Sequence, residues 1–338
     1  MNEHAEKKEK QGAADALRLQ VASSPHLSNA SFTTRRMMLD VLIALLPVIG
    51  MALYVFGMFA VKQILICLVS CLVAEALFTK MRKRPIPLDD GSATVTGVIL
   101  ALSLPGPAPW YVGVIASFVA IGIGKVLFGG LGMNIFNPAM VGRAFVMIAF
   151  AGSMAAAGYV DATSTVDAVT KATPLTLFQQ AGVITPLKDL FLGTTNGSLG
   201  EVSALACIAG GLYLCIRRTA SWEIPAGVIT AVVVCGILAG ISGPGTEWTV
   251  LHHLFGGALL FGAFFIATDP VTSPLAPKGK FIFGLGVGAI VMLLRLFSGY
   301  PEGVMFAVLL MNAITPLINR WMIPKPFGAV KEETKKAS

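Results

Sequence analysis

The run Asp167-Ala168-Val169-Thr170-Lys171-Ala172-Thr173-Pro174-Leu175 places a hydroxyl directly ahead of a proline. Threonine at the N-cap with proline at the first helical position is a common helix start. A hydroxyl there faces backbone N–H groups with no partner inside the helix. The helix dipole favours negative charge at that end. Thr173 therefore reads as a helix cap at an end that favours anions. Thr185-Pro186 reads as a second start of the same kind. Short surface helices are expected over 174–181 and 186–192.

Two other blocks carry polar groups among apolar residues. The first is GGLGMNIFNPAMVGRAF, residues 129–145, with Asn134, Asn137 and Arg143. The second is ATDPVTSP, residues 267–274, with Asp269. Polar backbone beside a membrane span is tolerated only where protein or a polar cavity satisfies it. Asn137-Pro138 reads as a helix start, and Arg143 lies one turn further, where it can pair with a carboxylate or a ligand carbonyl. Asp269 reads as an N-cap, as a partner of Lys278, or as an intramembrane acid with a functional role. Asp40, Glu75 and Lys125 fall near the inner ends of spans and Arg295 near an outer end. Snorkelling toward the interface is the ordinary role of such groups, although intramembrane charge is a functional signal by default.

The elements that hold these residues are apolar. Of 338 residues 55% are hydrophobic and 13% charged, with a mean hydropathy of +0.76. Soluble domains carry about 25% charged residues, so an ordinary soluble enzyme is excluded. Ten apolar segments have approximate cores at 38–56, 60–79, 92–104, 110–128, 138–153, 200–216, 223–241, 250–268, 281–297 and 303–321. A full span takes about 20 residues. The third segment is too short and ends in Leu104-Pro105-Gly106-Pro107, which suggests a broken or re-entrant helix.

Charge orients the spans. The net charge of +7 is gathered in short clusters between apolar runs, which argues against nucleic acid as a partner. With the N-terminus inside, nineteen of the 25 Lys and Arg fall on inner segments and only Lys171 and Lys188 on outer ones. The positive-inside rule then gives ten crossings with both termini cytoplasmic. The hydrophilic stretch 1–36 has no apolar run near Met1, so no cleavable signal peptide is expected. The five cysteines lie inside apolar runs without metal-ligand spacing and read as small buried residues; no metal site is expected.

The expected organisation is an all-α integral membrane protein of about ten transmembrane helices. Residues 1–36 form a cytoplasmic segment, 37–153 a first five-helix repeat, 154–199 a long extracytoplasmic loop, 200–322 a second five-helix repeat and 323–338 a cytoplasmic tail. An odd number of spans per half makes the repeats inverted, and such repeats place ligand sites at their interface. Weak echoes support the pairing: 96–110 with 227–248, and FGG at 128–130 before Asn137-Pro138 with FGG at 255–257 before Asp269-Pro270. Inverted five-helix repeats also occur in small-solute channels and transporters, which is the alternative reading.

Several blocks carry a family resemblance in order: Ser24-Pro25-His26, Asp90-Gly91-Ser92-Ala93-Thr94, residues 129–145, Asp167 to Thr173, and TDPVTSP at 268–274. Together they resemble the family of Rnf D subunits and Na+-translocating NADH:quinone reductase B subunits. The run Asp167 to Thr173 resembles the flavinylation motif D-x-x-[S/T]-G-A-T, with Lys171 where glycine is usual. The overall length looks more like the Rnf branch.

The resemblance implies FMN joined by a phosphoester to Thr173, with Asp167 and Thr170 in the recognition motif and Asn137 and Arg143 as further flavin-binding candidates. It implies a second, non-covalent riboflavin within the helices. It also implies membership of an ion-translocating ferredoxin:NAD oxidoreductase, together with the A, B, C, E and G subunits of Rnf, in a bacterial or archaeal cell membrane. Asp269 matches an acidic position associated with cation uptake in the quinone-reductase relatives, so Na+ or H+ is the expected ion. After Lys125, where those relatives carry an acid, this chain has Val126. NAD and ferredoxin sites would lie on partners, since no P-loop, dinucleotide fingerprint or iron–sulfur cysteine cluster is present in the sequence.

Overall fold

Among the described residues, five helices are long and apolar enough to cross a membrane, and four shorter apolar ones lie among them. The computed structural model describes residues 33–84, 88–155, 158–159, 169–170, 173–193, 195–242, 249–298 and 302–322. In the first half, α1 (Thr34–Phe56) and α2 (Met58–Met81) are full-length, and α3 (Ser92–Ser103) is short, as Leu104-Pro105 predicts. The first half continues with α4 (Trp110–Ile121), α5 (Pro138–Ala149) and α6 (Ala151–Ala155). A two-residue antiparallel pair, β1 (Gly158–Tyr159) with β2 (Val169–Thr170), precedes α7 (Pro174–Ala181) and α8 (Leu187–Leu192). The second half holds α9 (Ala204–Ile216), α10 (Glu223–Ser242), α11 (Val250–Phe255), α12 (Leu259–Phe261), α13 (Pro277–Phe297) and α14 (Val304–Trp321).

Large apolar side chains point outward, as lipid requires: Tyr54, Ile216 and Phe297 are among the most exposed. Helix contacts use small residues instead, because in lipid close packing rather than water exclusion drives association. α10 lies closely along α13, where a side chain on Gly227 would strike the Phe281 carbonyl and one on Gly284 the Ile224 carbonyl. α9 meets α1 in the same way through Gly210 against Ala44, which joins the two halves.

Both halves carry an irregular turn ahead of a polar block. α4 runs into a wide-turn segment Gly122–Val126, and α12 runs into another, Gly262–Ile266. Such widened turns are uncommon and often sit at functional sites.

Several expected boundaries move. The span expected over 250–268 breaks between α11 and α12 at Gly256-Gly257-Ala258, with Gly257 at φ +70°. The two FGG runs therefore occupy different places: 128–130 follows a widened turn, while 255–257 is the break itself. α8 begins at Leu187 with Pro186 at its cap, so Thr185 does not cap it. Asp269 is not an N-cap, because α13 starts only at Pro277, capped by Ala276. The segment expected as a single span over 138–153 is interrupted at Phe150.

Candidate functional site

Pro174 opens α7 and Thr173 caps it. The Thr173 side chain accepts from Thr176 N at 3.3 Å, and its Oγ1 lies 2.8 Å from Thr176 Oγ1. Thr173, Pro174 and Thr176 face a cavity of about 580 Å³. Its other walls come from α5 (Arg143, Met147), the loop ahead of α9 (Thr195, Asn196, Ser198, Glu201), the α11–α12 break (Gly257) and Glu302. Pro105, at the end of α3, also lines it and bridges Ser198 through the backbone. Both interrupted helices of the two halves thus end at one cavity.

Charge fills its deep side. Arg143 donates to Ser198 Oγ at 3.5 Å and pairs with Glu201 at 3.5 Å. Ser198 Oγ donates to Glu201 Oε1 at 2.5 Å and Ser198 N to Oε2 at 3.3 Å. Arg295, expected to snorkel, is instead 1% exposed. Its guanidinium donates to the carbonyls of His253 (2.5 Å) and Gly256 (2.8 Å), which the helix break leaves without intrahelical partners. Glu302 accepts from Ala258 N at 2.6 Å and lies 3.7 Å from Arg295. One arginine and one glutamate therefore satisfy opposite polarities of the same break, as buried backbone demands.

A smaller cavity, about 90 Å³, lies at the other end of the bundle. Met37, Ser92, Lys125, Asn134, Asn137, Thr268 and Asp269 line it, so the two polar blocks meet there. Asn137 Oδ1 accepts from Met140 N at 3.3 Å as the cap of α5, and Nδ2 donates to the Ile266 carbonyl at 3.3 Å. Asp269 accepts from Val271 N and Thr272 Oγ1, both at 3.2 Å, and holds a turn.

Lys125, expected to snorkel, is 2% exposed, hydrogen-bonded to Glu75 and 2.5 Å from Ser92 Oγ. Asp40 is also buried, with Arg217 at 3.2 Å and Thr219 Oγ1 at 3.0 Å. These corrections share one cause. A side chain near a span end reaches a partner on the next helix more readily than it reaches water.

The predicted residues therefore separate. Thr173 and Arg143 share the larger cavity; Asn137 and Asp269 share the smaller one at the opposite end. Thr170 belongs to β2, and Asp167 lies outside the described residues. Sequence reasoning singled out neither Glu201 nor Glu302. The signal that could have found them was an acidic residue at the edge of each of two connections between apolar segments. No group of His, Cys, Asp and Glu suited to a metal occurs among the described residues.

The profile of the NQR2, RnfD, RnfE family matches residues 20–328, nearly the whole chain. The chain belongs to this family. The family replaces the solute-channel reading of the inverted repeats. Relatives include the D subunit of the Na(+)-translocating ferredoxin:NAD(+) oxidoreductase complex of Acetobacterium woodii, 43% identical over 94% of this chain and 99% of the relative. The proton-translocating counterpart of Clostridium ljungdahlii is 42% identical over 91% of this chain and 96% of the relative. The D subunit of the ion-translocating oxidoreductase complex of Halorhodospira halophila is 39% identical over 92% and 96%. Relatives named for Na+ and for protons are thus almost equally similar to this chain.

The residues around Thr173 fit a flavin nucleotide. The larger cavity falls within the roughly 300–1,000 Å³ of small-molecule sites. Arg143 and Asn196 line it beside Thr195 and Ser198, so the cavity wall carries side chains that can donate and accept. The smaller cavity falls below that range.

Proposed function

We propose that this chain is the D subunit of an ion-translocating ferredoxin:NAD oxidoreductase, carrying FMN on Thr173 and coupling electron transfer to Na+ or H+ movement. The chain's membership of the family and the names of its relatives support the complex and its activity. The observation that carries the flavin assignment is the Thr173 hydroxyl, at the head of an eight-residue helix and facing a cavity of flavin size.

Bound FMN supplies reversible electron storage. The chain's residues do the rest. The start of α7 presents backbone N–H groups toward an anion on Thr173, and Leu175 and Met147 supply apolar wall. Arg143 puts positive charge on the deep side, held in place by Glu201 and Ser198. The protein thereby fixes position and electrostatics while the electron chemistry belongs to the cofactor.

Further assignments belong to the same reading. The chain spans the membrane ten times as two inverted repeats, with both termini cytoplasmic and the α7 region outside. The A, B, C, E and G subunits of Rnf surround it, and Asp269 takes part in coupling at the inner end. No step is assigned to the riboflavin that the resemblance implies. Intact mass of the purified chain tests the central assignment. One FMN adduct is expected, and an unmodified mass after expression with the complex's own flavin transferase overturns it.

A further inference from the structure

Glu201 and Glu302 come from segments far apart in the chain, yet both line one cavity, each beside an arginine: Glu201 at 3.5 Å from Arg143 and Glu302 at 3.7 Å from Arg295. Two carboxylates are both acceptors, so a hydrogen bond between them would need a proton on one. The remaining partners are already placed. Ser198 and Arg143 occupy Glu201, and Ala258 N and Arg295 occupy Glu302. Glu302 is 18% exposed, Glu201 5%, and both line the cavity that Thr173 faces.

We propose that Glu302, paired with Glu201, is a proton-binding site of the outer cavity whose occupancy follows the charge of the group on Thr173. This rests on the flavin reading for the identity of that group. Two arginines and two ionised glutamates would otherwise pack four charges into little water. Burial, then the neighbouring Glu201 carboxylate, pushes the Glu302 carboxyl well above the ordinary carboxylate range. Arg295 and Arg143 oppose that shift without cancelling it. The charged and titratable groups facing Glu302 are Glu201 from the loop before α9, Arg143 from α5 and Arg295 from α13. Behind Arg295 lies His253 of α11, whose main-chain carbonyl accepts from its guanidinium.

Charge balances in this coupling. An electron reaching the flavin from a reduced partner of the complex adds one negative charge to the cavity. A proton from the outer solvent binds a carboxylate of the pair, which becomes a carboxylic acid, and no bond to the flavin is made or broken.

Infrared spectroscopy of the full flavinylated chain, titrated with pH before and after chemical reduction, tests this. A protonated-carboxyl band should persist well above the midpoint of free glutamate, about 4.3. E302Q should remove it. E201Q should lower its midpoint by roughly one unit or more, since a like charge is gone. Reduction should raise the midpoint in wild type and leave it unchanged in T173A. A band that survives E302Q, or a midpoint indifferent to E201Q, overturns the pair. A wild-type midpoint indifferent to reduction overturns the coupling. Flavin retained in T173A overturns the attachment site instead, and the titrations of E302Q and E201Q still judge the pair.

Discussion

The side-chain amide of Asn137 donates to the main-chain carbonyl of Ile266 across 3.3 Å, joining the polar block of the first half to the widened turn of the second. The same side chain caps α5 through Met140 N. One residue therefore fixes both a helix start and the approach of the two halves. Asn137→Asp separates these roles, because a carboxylate still caps but cannot donate to Ile266. We expect Asn137→Asp to lower the unfolding temperature of the purified chain in detergent, and Asn137→Ala, which loses the cap as well, to lower stability by about a further 1 kcal/mol. Equal stability of Asn137→Asp and wild type would leave the carbonyl contact without weight.

How much of this was legible depends on the distance over which each feature is encoded. The caps at Thr173 and Asn137 are written in adjacent residues, Thr-Pro and Asn-Pro, and both occur as read. The short α3 is encoded by Pro105 next to its end. By contrast, Lys125 with Glu75 and Arg295 with Glu302 pair across helices, and periodicity says nothing about which neighbour a buried charge meets. The break at Gly256-Gly257 was written in two glycines, but the apolar residues on either side made one uninterrupted span the simpler reading. Its stabilisation by Arg295 and Glu302 emerges only when α13 and α14 pack against it.

Asp269 lies at the opposite end of the bundle from Thr173. Asp269→Ala should lower coupled ion transport in the assembled complex while leaving Thr173 flavinylated. Its two hydrogen bonds hold a turn, so Asp269→Asn, which keeps an acceptor, separates charge from turn geometry. Transport retained in Asp269→Asn but lost in Asp269→Ala would assign Asp269 to the turn alone.

A buried ion pair is costly to break from one side. Lys125→Met leaves Glu75 facing its helix neighbours without its partner, and such losses cost about 3–5 kcal/mol. The double variant Lys125→Met, Glu75→Gln removes both charges and should recover most of that loss. Chemical or thermal unfolding of the two purified chains checks it. A double variant no more stable than Lys125→Met would show that the pair contributes through packing rather than charge.

The last prediction concerns Thr173 and its hydroxyl neighbours. A phosphoester needs the Oγ1 that alanine lacks, so Thr173→Ala should abolish covalent FMN. The same change removes the hydrogen bond to Thr176 N, and loss of such a cap costs about 0.5–2 kcal/mol. That is too little to dismantle the helix packing around it, so the chain should still insert and assemble. Thr176 Oγ1 lies 2.8 Å from Thr173 Oγ1 and is the nearest competing nucleophile, which makes Thr176→Ala the sharpest control. Thr176→Ala should keep the adduct, since position 173 supplies the attachment atom and the helix start. Thr170→Ala should at most slow flavinylation, because the proposed reading puts Thr170 in the recognition motif and not in the bond. Peptide mass mapping reads all three variants. An FMN-bearing peptide in Thr173→Ala, or an adduct located on Thr170 or Thr176, would refute the assignment.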